Sequence, residues 1–312
     1  MDIQQTEEGL VGISIRDVQL RMAEAVSKSG QFQIAKVARG TSRIPFTFSA
    51  LEDRSNILLL AQELNRAYES AGFSSTRASL SLDSDMVLIK KIPVDATLQG
   101  DELRSHILWE VSQFMINPLD NFIVDFELVE AAGQEKQEAE AIVVVVRKAV
   151  IEYIKEIFAA TDLKLQAVDV DVFAAQRLLS KIYQFPPESK IALIDIRKKN
   201  LQISILHHNF YLSQEVEYST EEHEEAESQR VEHLSRIISK ELRRIILDNK
   251  LGKSVEDLQE IFVYGDFIED RIIDILSEAH NVTFHRIDPF EKFPLLDTAA
   301  ESDVRNHPES YV

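Results

Sequence analysis

A chain of 312 residues with 45% hydrophobic content can bury a sizeable core, and its length fits two domains or lobes. It has no cysteine, which excludes thiol catalysis, disulfides and cysteine-bound metal, and suits the cytoplasm. A formal net charge of −19 argues against a general nucleic-acid binder, which needs a basic surface to displace counterions; the plain reading of that charge is solubility.

The acidic N-terminus, with Asp2, Glu7 and Glu8, has neither the basic nor the apolar region of a signal peptide. Residues 10–17 and 18–26 alternate apolar and polar positions and predict the two arms of a hairpin; 31–37 and 44–48 predict further strands. Over 54–71, Ile57, Ala61, Leu64, Tyr68 and Ala71 recur at helical spacing, and Gly72 stands where a helix C-terminal glycine belongs. Strands at 78–82 and 86–92 are joined by a turn holding Asp83, Ser84 and Asp85. A helix over 101–116 places Leu103, Ile107, Val111 and Phe114 on one face and ends at Asn117-Pro118. Strands at 122–129 and 141–146 flank the charged segment EAAGQEKQEAE, which reads as an exposed loop. The run 141–146 is the longest purely apolar one, far short of the ~20 residues of a membrane helix, so direct membrane insertion is not expected. A helix at 149–160 and a strand at 164–170 follow, and the whole β-β-α-β-β-α stretch reads as an inserted subdomain.

A helix at 172–183 ends before Pro186-Pro187, a hinge between lobes. The segment LIDIRKKNLQISIL at 193–206 then repeats the first hairpin. Ile13-Ser14-Ile15-Arg16 matches Ile194-Asp195-Ile196-Arg197, and Leu20 matches Leu201, with an arginine at the first turn each time. A third strand at 209–218 and a solvated acidic run, Glu221–Glu227, come next. They precede a helix carrying Val231, Leu234, Ile238, Leu242 and Ile245, a strand at 260–264, a helix at 267–279 and a strand at 281–286. Two halves that each open with a hairpin sheet and close with helices suggest duplication about a central cleft.

The stretch KIPVDATLQGDELRSHILWEVSQFMINPLDNFIVDFELVE carries Pro93, Glu102-Leu103, Ile107 with Glu110, Pro118 and Asp125, and there it resembles the PilM family. AVDVDVFAAQRLL at 167–179, ISKELRRIILDNK at 238–250 and IFVYGDF at 261–267 are similar to that family's valine–aspartate strand, Glu-x-x-Arg helix and glycine-rich adenosine loop. The resemblance implies an α/β, actin-like (ribonuclease H-like) two-lobed fold with an inserted FtsA/PilM-type β-β-α-β-β-α subdomain. It assigns residues 1–75 to the first lobe, 76–165 to the subdomain, 166–186 to the return helix and hinge, and 187–312 to the second lobe. The family's final Ala-x-Gly-Leu-Ala helix is expected where HPESYV stands, so the second lobe is expected without it.

Actin-like ATPases hold phosphates in two hairpins reading Asp-x-Gly, and a Gly-Gly loop lies against the adenosine; glycine lets backbone amides approach the phosphate oxygens. Here the first hairpin has Ser14 and Arg16, the second keeps Asp195 but has Arg197, and the third loop has Gly265 followed by Asp266. The resemblance therefore implies a degenerate nucleotide site with no cofactor. Each arginine would stand where a phosphate belongs, bringing the charge of a metal ion and pairing with acids such as Asp17 or Asp195. The duller reading points both arginines to solvent. An anion site of Arg16, Arg197, Lys198 and Lys199 competes with lysines that are simply exposed at a turn.

No other constellation rises to catalysis or metal binding. His207-His208 points to opposite faces of a strand, His223 lacks a second histidine four residues on, and helix capping accounts for Asp169 and Asp171. Core packing is the default for Trp109, Phe114, Met115 and Phe122, but Trp109 falls off the 103-107-111-114 stripe and is the candidate anchor for a partner peptide.

By this resemblance the protein is expected to be a non-catalytic cytoplasmic adaptor of type IV pilus (or related secretion) assembly, peripheral to the inner membrane through a partner. It would bind the N-terminal cytoplasmic tail of a PilN-like inner-membrane protein between the first lobe and the subdomain, as an added strand. It would also help connect the membrane platform to a pilus motor ATPase. Two alternatives stay open: an ATPase binding ATP with Mg, whose lobes respond to nucleotide, and a homo-oligomeric platform subunit of the FtsA or type II secretion L kind.

Overall fold

The computed structural model describes residues 9–312 apart from 29, 131–137, 187, 208, 219–226, 267, 297–303 and 305. The expected loop at 130–140, Pro187 of the hinge, His208, His223 and the acidic run lie wholly or largely outside the described residues. The described chain forms two compact units: residues up to 174 with 290–305, and residues 175–289 with 306–312.

In the first unit, Leu10–Lys28 run extended as β1, yet the strand doubles back. A Cβ placed on Gly12 would meet the Ala23 carbonyl at 3.8 Å. A straight strand would hold those residues about 36 Å apart. The fold-back falls at Asp17, whose φ of 50° lies in the left-handed region that aspartate tolerates better than most residues. The expected first hairpin is therefore present within one extended run. Residues 11–14 of its first arm pair in parallel with β3 (Arg77–Leu82), and residues 19–28 pair antiparallel with β2 (Gln31–Phe46).

β2 is one strand where two were expected. Gly40 does not break it: a side chain there would press on Leu20 at 3.3 Å and Ala67 at 3.5 Å, so the position needs a small residue rather than a turn. Phe48 opens a short helix, α1 (Phe48–Leu51), instead of ending a strand. α2 (Asn56–Ala71) buries Ile57, Leu60, Ala61 and Leu64, and Gly72 caps it at φ 61°. Each fully buried leucine contributes about 1.5–3 kcal/mol. The buried Glu24 ties the second arm of β1 down, accepting hydrogen bonds from the backbone amides of Ser74 (2.9 Å) and Ser75 (2.7 Å).

Between β3 and β7 (Lys164–Val170) stand β4 (Val87–Asp95), α3 (Gly100–Phe114), β5 (Phe122–Glu130), β6 (Glu138–Arg147) and α4 (Lys148–Ala159). β4, β6 and β5 form a separate antiparallel sheet in that order, with α3 packed on one face through Leu103, Ile107 and Val111. The apolar run 141–146 is its central strand, which explains why alternation is lost there: Ala141, Val143 and Val145 face α3, while Ile142 and Val146 are buried on the other side.

This sheet corrects the sequence-based boundary of 76–165 for the inserted subdomain. β3 and β7 pair with each other in the sheet of order β2-β1-β3-β7, and α4 shares its core with α2. Only the stretch from β4 to β6 stands outside that sheet.

The second unit repeats the pattern. β8 (Lys190–Ile196), β9 (Asn200–His207) and β10 (Asn209–Glu217) are antiparallel, and β11 (Glu260–Gly265) and β12 (Phe284–Arg286) extend the sheet in parallel, giving the order β10-β9-β8-β11-β12. With β1 counted as two arms, both large sheets run third, second, first, fourth, fifth strand. The duplication read from the two hairpins is thus a duplication of topology. α6 (Glu227–Asp248) and α7 (Asp270–His280) cover one face of this sheet. Ala175 and Leu179 of α5 (Asp171–Ile182) pack on the other face, where Val312 also lies.

The unit boundary falls inside α5, between residues 174 and 175, ahead of the hinge expected at Pro186-Pro187. The expected second lobe, 187–312, also gives part of its tail away. After α8 (Pro289–Lys292), Leu295 bridges in parallel to Ile34, with Ile34 N donating to the Pro294 carbonyl at 3.1 Å and Leu296 N to the Ile34 carbonyl at 2.8 Å. A β2 edge with open backbone groups draws this segment in.

Candidate functional site

Parallel register decides what surrounds the first arginine. Ser14 of β1 lies beside Ser81 of β3, and Leu82 of β3 beside Val170 of β7. Continuing one or two residues past these pairs brings Arg16, Asp83 and Asp171 together at the carboxyl ends of three parallel strands, the edge where open α/β sheets bind ligands. Arg16 Nε lies 3.6 Å from Asp83 Oδ2, and Nη2 lies 3.5 Å from Asp171 Oδ2. The other Asp171 oxygen accepts the backbone amides of Ser84 (3.2 Å) and Val172 (2.6 Å). Arg16 therefore pairs with two acids that the sequence did not name as its partners. The sequence marks Asp83 as a turn residue and Asp171 as a cap; only the register of strands far apart in the chain reveals their partner.

The second arginine closes on its own hairpin. Arg197 Nε donates to Asp195 Oδ2 at 2.9 Å; Asp195 is 0% exposed and Arg197 5%. The turn is held by Arg197 N donating to the Asn200 carbonyl at 3.1 Å, and Tyr218 OH donates to the Arg197 carbonyl. Burial pushes the Tyr218 phenol up to about 12, against the Arg230 guanidinium and with the help of the Asp195 carboxylate. Arg197 is thus no solvent-facing turn residue.

β11 lies in register with β8, Tyr264 beside Asp195 and Gly265 beside Ile196. Gly265 has φ 118°, and a Cβ there would sit 2.4 Å from the Ile196 carbonyl oxygen and 2.6 Å from Asp195 Oδ1. No side chain fits. Asp266 N donates to the same Ile196 carbonyl at 3.1 Å. Asp195, Arg197, Gly265 and Asp266 therefore form one packed cluster in the second unit, and Ser14 and Arg16 belong to another in the first. No group of acids or histidines among the described residues is arranged to hold a metal ion.

A different feature lies where the β4-β6-β5 sheet meets the first sheet's elements. A groove of about 150 Å³ is lined by Phe48, Met86, Leu88, Met115 and Phe122, with Arg147 stacked over the Phe48 ring at 4.9 Å. Phe48 and Leu88 are exposed, and Ile116 beside Met115 is 99% exposed. β4 pairs only with β6, so its outer edge is an edge of the sheet. Trp109 is 57% exposed and stacks on His106, off the core stripe as expected, but it does not line this groove. Sequence reasoning missed Phe48 and Leu88 because each sits at an element's end, where periodicity carries no signal.

Among the described residues no helix is long and apolar enough to cross a membrane. The family described as type IV pilus assembly protein PilM matches residues 12–219. In three dimensions the chain is similar to a solved PilM–PilN type IV pilus biogenesis complex, with TM-score 0.74, 16% identity, and 98% of this chain and 96% of that chain covered. It is also similar to the cytoplasmic domain of EpsL, an inner membrane component of the type II secretion system of Vibrio cholerae, with TM-score 0.46, 10% identity and 84% of each chain covered. A protein of Bacteroides thetaiotaomicron with an actin-like ATPase fold and unknown function matches with TM-score 0.45 and 12% identity, covering 93% of this chain and 94% of that one. The first of these likenesses bears out the actin-like α/β fold expected from the sequence.

Proposed function

The chain belongs to the family of type IV pilus assembly protein PilM, and from that premise we propose that it is a non-catalytic adaptor. It holds the cytoplasmic N-terminal tail of a PilN-like inner-membrane protein, and so sits at the inner membrane through that partner. The observation that carries this reading is the groove of Phe48, Met86, Leu88, Met115 and Phe122. Its exposed Phe48 and Leu88, over the buried Met86, offer a pocket for one or two anchors of a tail, and the β4 edge beside it offers backbone groups for an added strand. A solved relative of the same fold is a complex with PilN, which supports the choice of partner.

The same reading makes the nucleotide hairpins structural. ATP with magnesium does not fit the residues present. Arg16 and Arg197 fill the positions where glycine would admit a phosphate, each already faces a carboxylate, and the space above Gly265 is taken by Ile196 and Asp195.

Fluorescence anisotropy with a labelled N-terminal tail peptide of the PilN-like protein encoded with this chain tests the proposal. The natural protein should bind, and Leu88→Lys or Phe48→Ser should weaken binding at least about tenfold, a cost of ~1.4 kcal/mol. Trp109→Ala should leave it nearly unchanged. Indifference of the natural protein to that tail would sink the adaptor reading.

A further inference from the structure

α6 and α7 lie side by side on the second unit, joined where His280 meets Ser239 Oγ at 2.7 Å. Their inward faces fill one core through Ile238, Leu242, Ile272 and Leu276. Their outward faces carry opposite charge on balance. On α6, Arg236, Lys240 and Arg243 follow one another at spacings of four and three, so they form one exposed stripe, with the exposed Glu232 one turn before it and the exposed Leu247 one turn after. On α7, Asp270, Asp274 and Glu278 recur every four residues and are likewise exposed, with the exposed Arg271 beside them, so three acids outnumber one base. Asp270 is engaged by Arg286, and Lys240 lies 3.7 Å from its neighbour Glu241. Arg236, Asp274 and Glu278 have no ion-pair partner among the described residues, and Arg243 acts on Glu256 and His280 without a close ion pair.

A cationic stripe is unexpected on a chain of net charge −19. That net charge repels an anionic bilayer or a nucleic acid as a whole, so the stripe suits a protein surface presenting a local row of acids. Such a row stands next to it on the same unit. Adjacent rows of opposite sign are self-complementary under a two-fold axis, which lays each basic stripe on its partner's acidic stripe and repeats every contact twice. We propose that the α6–α7 face is a homodimer interface, with Arg236, Lys240 and Arg243 of one copy opposite Asp274 and Glu278 of the second and Leu247 at its margin. The contacts are exposed ion pairs, so the dimer is weak and salt-sensitive.

Sedimentation velocity on the full chain decides the matter. The natural protein should dimerise with rising concentration at low salt, and ~0.5 M salt should weaken the association at least about tenfold. Arg236→Glu/Lys240→Glu/Arg243→Glu in one variant and Asp274→Lys/Glu278→Lys in another should each be monomeric, because like charges then face each other. An equimolar mixture of the two should dimerise again, since each copy now presents the sign its partner needs. All five positions are exposed, and unchanged circular dichroism would show that the variants fold. A natural protein that stays monomeric at low salt, variants that dimerise as it does, or a mixture that stays monomeric would each overturn the proposal.

Discussion

Arg197 shows how much one residue identity can change a hairpin. A guanidinium and a carboxylate, both removed from water, repay their desolvation only together. Asp195 stands at 0% exposure beside Gly265, whose missing side chain lets β11 close over it. Arg197→Ala removes the guanidinium beside that buried carboxylate and should cost about 3–5 kcal/mol, read as a drop in the urea midpoint of unfolding. Replacing both partners with apolar residues of similar size should cost much less, because no charge is then left buried. Equal losses in the two cases would show that packing rather than pairing holds the turn. Arg16 differs in degree: its contacts at 3.5 and 3.6 Å are longer, and its side chain keeps some access to solvent.

At the scale of elements, the α6–α7 contact carries a built-in pH dependence. The buried His280 reaches Ser239 on α6, and Glu256, Arg243 and Phe284 also face it. Burial lowers its pKa below the ordinary 6.5; Glu256 opposes that shift and Arg243 adds to it. The unfolded chain therefore takes up the proton first as pH falls. The stability this histidine contributes is present above pH 6.5 and fades as pH drops through 6.5 toward the lower folded value. Urea midpoints measured between about pH 7.5 and 5 should fall more steeply for the natural protein than for His280→Gln. Parallel curves would remove His280 from the account. Elements were also where sequence reading worked best: the α3 stripe of Leu103, Ile107 and Val111, the Gly72 cap and the repeated hairpin all stand as read, because each is set by neighbours in the chain. It failed at the ends of elements and at β2, where Gly40 answers to Leu20 and Ala67 rather than to a turn.

For the molecule as a whole, a single fold pattern occurs twice and each copy carries an arginine at its first hairpin turn, which the proposed reading places where a phosphate would lie. The natural chain should therefore show no thermal shift with ATP and magnesium, and neither should an Arg16→Gly/Arg197→Gly variant once its lower stability is allowed for. Nucleotide-dependent stabilisation of the natural protein would restore the ATPase reading. The sequence by itself determined the duplicated hairpins, the arginine at each first turn, the family resemblance and the helix faces, since those depend on residue types at short spacing. Only the tertiary structure decided that Arg16 meets Asp83 and Asp171, that β3 pairs within the first sheet and α4 packs in its core, and that Phe48 and Leu88 share a groove. Those contacts join residues from about 40 to more than 150 positions apart, and strand register, which no local pattern encodes, is what brings them side by side.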